Sequence, residues 1–112
     1  MSLHLHLNKT CDHCGHTEEY WCGNITHNLT EMASQACLYR ILWRPEEIDV
    51  HTAGRMIGTL EEGIKELEMY PNAFKVYNPD NGWGSYEGLL EFAKDCLTHC
   101  YKHPDASVVA CR

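Results

Sequence analysis

Leu3, Leu5 and Leu7 alternate with Ser2, His4, His6 and Asn8, the period of two expected of a strand with one face on a core and the other toward water. The strand runs into the turn-rich Cys11-Asp12-His13-Cys14-Gly15-His16 and then into Tyr20-Trp21-Cys22, which predicts a hairpin closed by a Cys-x-x-Cys knuckle. After the hairpin the period changes. Ile25, Leu29, Met32, Ala33 and Ala36 recur at helical spacing, and Asn28 followed by Glu31 resembles a capping box. A first helix is predicted from Leu29 to Cys37. Leu38 to Arg44 has room for a further helical turn, which must stop before Pro45 because the residue preceding a proline disfavours the α region.

Met56, Ile57, Leu60, Ile64 and Leu67 form one apolar stripe that ends at Tyr70-Pro71, with Thr52 as its expected cap. A third helix is expected to start at the cap Ser85, to carry Leu89, Leu90, Ala93, Cys96, Leu97 and Cys100, and to stop at His103-Pro104. Ser107 to Cys111 is rich in β-branched residues and reads as a last strand. The fold class is therefore α+β: three main helices packed on a small antiparallel sheet formed by the terminal strands. The chain reads as a single domain of 112 residues. Its hairpin spans 1–23, its helical part 24–104 and its last strand 105–112.

Composition narrows the function classes. Apolar residues make up 44% and charged residues 22% of the chain, ordinary globular usage that predicts a folded core. The net charge of −7 and the scattering of the nine Lys and Arg residues argue against a nucleic-acid partner, which would require clustered cations. No apolar run is long enough to span a bilayer and the first residues lack the apolar centre of a signal peptide. A cytoplasmic protein without membrane association is expected, and the three Asn-x-Thr sequons then read as turn and capping residues.

Seven cysteines without an export signal point to metal ligands and buried thiols ahead of a disulfide framework. Cys11 and Cys14 are spaced to grip one tetrahedral zinc ion, with Gly15 relieving the turn. Cys22 is the expected third ligand, on the returning strand; His27 is the expected fourth, in competition with His16 and Cys37. Free thiols on a turn are the alternative, and a redox pair is disfavoured because the motif sits in a hairpin and not at a strand-to-helix junction. Cys96, His99, Cys100 and His103 share a helix face with Leu89 and Ala93, so the two cysteines read as small buried hydrophobes before they read as ligands. The adjacent carboxylates Glu46-Glu47 and Glu61-Glu62 read as solvated surface.

Two polar segments are the candidate ligand-binding elements: Asn24-Ile25-Thr26-His27-Asn28, and Asn78 to Tyr86 with Asn81 and Trp83. Both lead into predicted helices, whose first N–H groups lack partners. Trp83, flanked by two glycines, reads either as the core anchor of a long loop or as a flat platform for a ligand. The 13 aperiodic residues from Asn72 to Gly84 are expected to be tied against the first helix by Asn-mediated hydrogen bonds, with His27 beside them.

The strings Asn24-Ile-Thr-His-Asn-Leu29 with Met32, Leu42-Trp-Arg-Pro-Glu-Glu47, Asn78-Pro-Asp-Asn-Gly-Trp-Gly-Ser-Tyr-Glu87 and Pro104-Asp-Ala-Ser-Val108 resemble a family of small uncharacterised proteins encoded by bacteriophages and prophages. The resemblance covers the chain from Trp21 onward and implies a phage-type origin in a bacterial cytoplasm, with no assigned chemistry. In that family the N-terminal hairpin carries Cys-x-x-Cys in some members and an ordinary turn in others. This implies a structural staple, not a catalytic role, for Cys11 and Cys14. The expected function is a non-enzymatic binding module for a small polar ligand or a host protein, with a structural zinc. The alternatives are a small enzyme acting on a nucleotide-like or phosphorylated metabolite, and an accessory protein with no ligand.

Overall fold

The computed structural model describes residues 2–11 and 13–112; Asp12, within the knuckle, lies outside them. The alternation at the N-terminus forms strand β1 (Ser2–Thr10), which pairs antiparallel with β2 (Thr17–Thr26) on one side and β3 (Ser107–Cys111) on the other. The terminal strands are thus neighbours, as their single apolar faces require. Leu3, Leu5 and Leu7 lose all solvent exposure on the inner face, against the helices. His4, His6 and Asn8 stand on the outer face, which no helix covers.

The helices are α1 (Thr30–Gln35), α2 (Tyr39–Trp43), α3 (Ile57–Met69), α4 (Pro71–Lys75) and α5 (Tyr86–Lys102). The apolar stripe of α3 buries Leu60, Ile64 and Leu67, and α5 buries Leu89, Ala93, Cys96 and Cys100. Ser85 caps α5 by accepting from Gly88 N–H at 3.1 Å. Among the described residues, no helix is long and apolar enough to cross a membrane.

Several local expectations are corrected. Strand β2 runs on through Asn24 and Thr26, so the sheet takes residues assigned to the helical part. The first helix begins with a 3-10 turn, His27–Leu29, and its cap is Thr26, whose Oγ1 accepts from Asn28 N–H at 3.3 Å. Asn28 cannot be the cap because it lies inside that turn. Thr52 makes no side-chain cap. Its backbone bridges Ser107, and a 3-10 turn, Ala53–Met56, leads into α3. Helix α4 occupies the start of the stretch that shows no periodicity. Pro71 initiates it by pre-setting φ, and five residues are too few to display a period.

Candidate functional site

The two polar segments meet at one end of the sheet. Asn24, Thr26, His27 and Asn28 from β2 and the following turn line a cavity of about 640 Å³ with Asn81 and Trp83 from the α4–α5 loop and with Ser2 of β1. That volume lies within the range of about 300–1,000 Å³ of small-molecule sites.

The loop is fixed at its base and at its tip. Asn78 Oδ1 accepts from Tyr86 N–H at 2.8 Å, closing the segment just ahead of α5. Tyr86 is buried, and its hydroxyl donates to the Leu67 carbonyl at 2.6 Å, near the C-terminus of α3 where helical carbonyls lack partners. Asn78 and Tyr86 are therefore loop-fixing residues outside the cavity, and the expectation that both contact a ligand is corrected. At the tip, Asn81 Oδ1 accepts from Trp83 N–H at 2.9 Å, and Asn28 Nδ2 donates to the Trp83 carbonyl at 3.4 Å. Gly84, at φ +107°, takes a left-handed backbone that few side chains adopt, and a Cβ there would stand 2.7 Å from Thr26 Cγ2 and 3.0 Å from Leu29 Cγ. The absence of a side chain lets the loop close onto the first helix.

Trp83 is the instructive residue. The residue is 70% exposed, which overturns the core-anchor reading. Phe74, buried, and Tyr77, partly buried, supply the apolar anchorage instead. The backbone of Trp83 is held from both sides while its ring stands at the cavity rim. His27, on the strand side of the cavity, is the opposite case: its Nε2 is shielded from solvent and has no hydrogen-bond partner among the described residues. Buried polar atoms are rarely left so, because each carries a desolvation penalty that a partner or an ordered water normally offsets. Asn24 bonds within the sheet, its Nδ2 meeting His4 Nε2 at 2.9 Å and donating to Ser2 Oγ at 3.4 Å. Of the expected Asn bridges between the two segments, Asn28 to Trp83 is the one formed among the described residues.

The metal residues are dispersed. At the knuckle, Cys14 lies in a turn with His13, Gly15 N–H donates to the Cys11 carbonyl at 2.9 Å, and Gly15 takes φ +70°. The Cys11 thiol is held below its ordinary value by backbone hydrogen bonds from Cys14 and His13 and by the Cys14 thiol, a local setting that suits a thiolate. Cys22, however, pairs across from His6, four residues up β1 from Thr10. That is roughly 14 Å along the strand from the knuckle. His27 lies beyond the far end of β2, roughly 30 Å away. A tetrahedral site drawn from Cys11, Cys14, Cys22 and His27 is not assembled. The cause is that the hairpin extends well beyond its knuckle, a length that cysteine spacing does not reveal.

The helical Cys/His set resolves into packing. Cys96 and Cys100 are fully buried, and the Cys96 thiol is pushed well up by its hydrogen bond with Cys100 and by burial. His103 stacks on Tyr20 with ring centroids 4.1 Å apart, and His99 stacks on Trp21, whose Nε1–H donates to Asp95 Oδ2 at 2.8 Å. Sequence reasoning missed a different group. His6, Glu19 and Cys22 bring their ligand atoms within 4.8 Å of one another on the outer sheet face. The period-two pattern was the signal for His6 and Cys22, and a bulge hid Glu19.

Set against protein-family models, curated proteins and solved structures, the chain matches none.

Proposed function

We propose that the protein is a non-enzymatic binding module, of the phage-type family its sequence strings resemble, that holds a small polar ligand with a planar ring in the groove between Thr26 and Trp83. The observation that carries this reading is the pairing of opposites in one cavity: an exposed indole whose backbone is held on both sides, facing a wall with an unpartnered, solvent-shielded His27 Nε2. An exposed Trp offers a flat apolar face on which a ring stacks. His27 Nε2 has no partner among the described residues, and a small rotation of its ring toward the cavity would give it one directional hydrogen bond to a ligand. Asn24, Asn28 and Asn81 carry both donor and acceptor atoms and suit a ligand with mixed polar groups.

The groove's walls are hydroxyls, side-chain amides, one imidazole and one indole, groups that hydrogen-bond and stack. Binding is the chemistry those side chains support.

Intrinsic fluorescence tests the reading. Trp21 and Trp43 are buried, so a ring stacking on Trp83 should quench the solvent-exposed part of the emission. A panel of purified nucleosides and nucleotides serves as the probe. Saturable quenching by at least one member, abolished in Trp83→Ala and weakened in His27→Ala, is expected. A panel that leaves the emission unchanged, or quenching that persists in Trp83→Ala, contradicts it.

A further inference from the structure

The uncovered face of the sheet holds a second constellation, independent of the groove. Strand β1 presents His6 outward, and β2 presents Cys22 directly across from it. Regular alternation along β2 would send Glu19 to the other face, since it lies three residues from Cys22. The register shift between Leu7 and Asn8 prevents this: Leu7 pairs with Trp21 while Asn8 pairs with Glu19, which leaves Tyr20 as the extra residue of a β-bulge. Such a bulge re-aims the side chains beyond it, and here it returns Glu19 to the face of His6 and Cys22. Tyr20 is itself held in place by its stack on His103.

The result is a compact set of three metal-ligand types. His6 Nδ1 and Glu19 Oε1 are 2.5 Å apart, and the Cys22 sulfur completes a group whose ligand atoms all lie within 4.8 Å. In tetrahedral zinc sites, bonds of about 2.0–2.3 Å place ligand atoms roughly 3.3–3.8 Å apart. The preformed cluster is thus within a side-chain adjustment of the required geometry.

We propose that His6, Glu19 and Cys22 form a three-ligand site for a zinc-class divalent ion, with the fourth coordination position open toward solvent on the outer face of the sheet. Imidazole, carboxylate and thiolate together favour zinc or cobalt(II) over magnesium or calcium, which prefer oxygen donors alone. Three protein ligands with an open position also differ from the closed four-ligand arrangement of a structural site. The ion would therefore be a binding or exchange centre on an already folded sheet. Nothing in the inner core depends on it, because the three side chains all lie on the face that the helices leave bare. A plain surface ion pair between His6 and Glu19 is the competing account, and it requires no part for Cys22.

Cobalt(II) titration of the full chain distinguishes the two. The Cys11→Ser, Cys14→Ser background removes the knuckle thiols from the readout. In it, one cobalt per chain is expected to give a sulfur-to-cobalt charge-transfer band together with the intense visible bands of tetrahedral cobalt. Adding Cys22→Ser should abolish the charge-transfer band, and His6→Gln or Glu19→Gln should weaken binding by roughly tenfold or more. Cys111→Ser should leave the band in place. Circular dichroism of each variant should match the parent, since these side chains are on the uncovered face. Cobalt bound without a charge-transfer band, a band that survives Cys22→Ser, or one that depends on Cys111 instead, overturns the proposal.

Discussion

On the inner face of β1, Leu3, Leu5 and Leu7 are completely enclosed against the helices. One residue away at each step, His4, His6 and Asn8 stand on a face that no helix covers, beside Asn24, Cys22 and Glu19 of β2. The same backbone serves both sets, and its pleat separates them. Stability and candidate chemistry are divided across the sheet: aliphatic packing holds the strands from within, and the polar side chains stand on the outer face. The division also accounts for the groove, whose strand wall is the outward Asn24 and Thr26 at one end of that open face.

The largest effect should come from breaking the inner face. Leu5→Ala removes a side chain with no solvent exposure and is expected to lower stability by about 3 kcal/mol, read as a reduced denaturant midpoint. A second break lies at the seam between the loop and the first helix. Gly84→Ala must both occupy φ +107° and push against Thr26 and Leu29, and should cost about 1–3 kcal/mol while perturbing the groove. A smaller cost confined to local melting of the loop would show that the seam gives way more easily than its contacts imply.

The pattern of apolar positions is enough to read β1, α3 and α5, because each has one face that must be buried and is long enough to show its period, while β3 is legible from its β-branched residues. The cap Ser85 is legible because its side-chain oxygen can accept from an unpartnered N–H of the first helical turn. What escaped were features set by tertiary context. The bulge at Tyr20 leaves no mark in composition, so Glu19 was not associated with His6 and Cys22. The length of the hairpin separates Cys22 from Cys11 and Cys14, although sequence distance suggested proximity. Trp83 has the composition of a core anchor, yet Phe74 and Tyr77 take that place and leave the indole outside. In the groove, the residues from both segments were legible as polar loop chemistry. Asn78 and Tyr86 were not distinguishable from them, because a side chain that fixes a loop and one that faces a ligand look alike in sequence.

A subtler test uses alkaline pH. Burial, with Glu68 and Glu87 nearby, holds the Tyr86 phenol above its ordinary value. Its folded value exceeds the unfolded value of about 10. The corresponding stability is therefore complete below that pH and lost as pH rises toward the folded value. Tyr86→Phe should remove this part of the alkaline loss, at a cost of about 1 kcal/mol near neutrality from the unpaired Leu67 carbonyl. Denaturant midpoints of both proteins across the alkaline range provide the check. The smallest effect belongs to the open face: Trp83→Ala should change stability by no more than about 0.5 kcal/mol, because the indole is mostly in water.

Amide and indole NMR shifts of the intact protein, titrated with the nucleosides and nucleotides that quench its fluorescence, test whether the groove between Thr26 and Trp83 is a ligand site. Saturable shifts are expected at the Trp83 indole and at the side-chain amides of Asn24, Asn28 and Asn81, with the buried Trp21 and Trp43 indoles unmoved. Shifts clustered instead around the separate cavity of about 550 Å³ beside Cys37 and Arg55, with Trp83 silent, would contradict it.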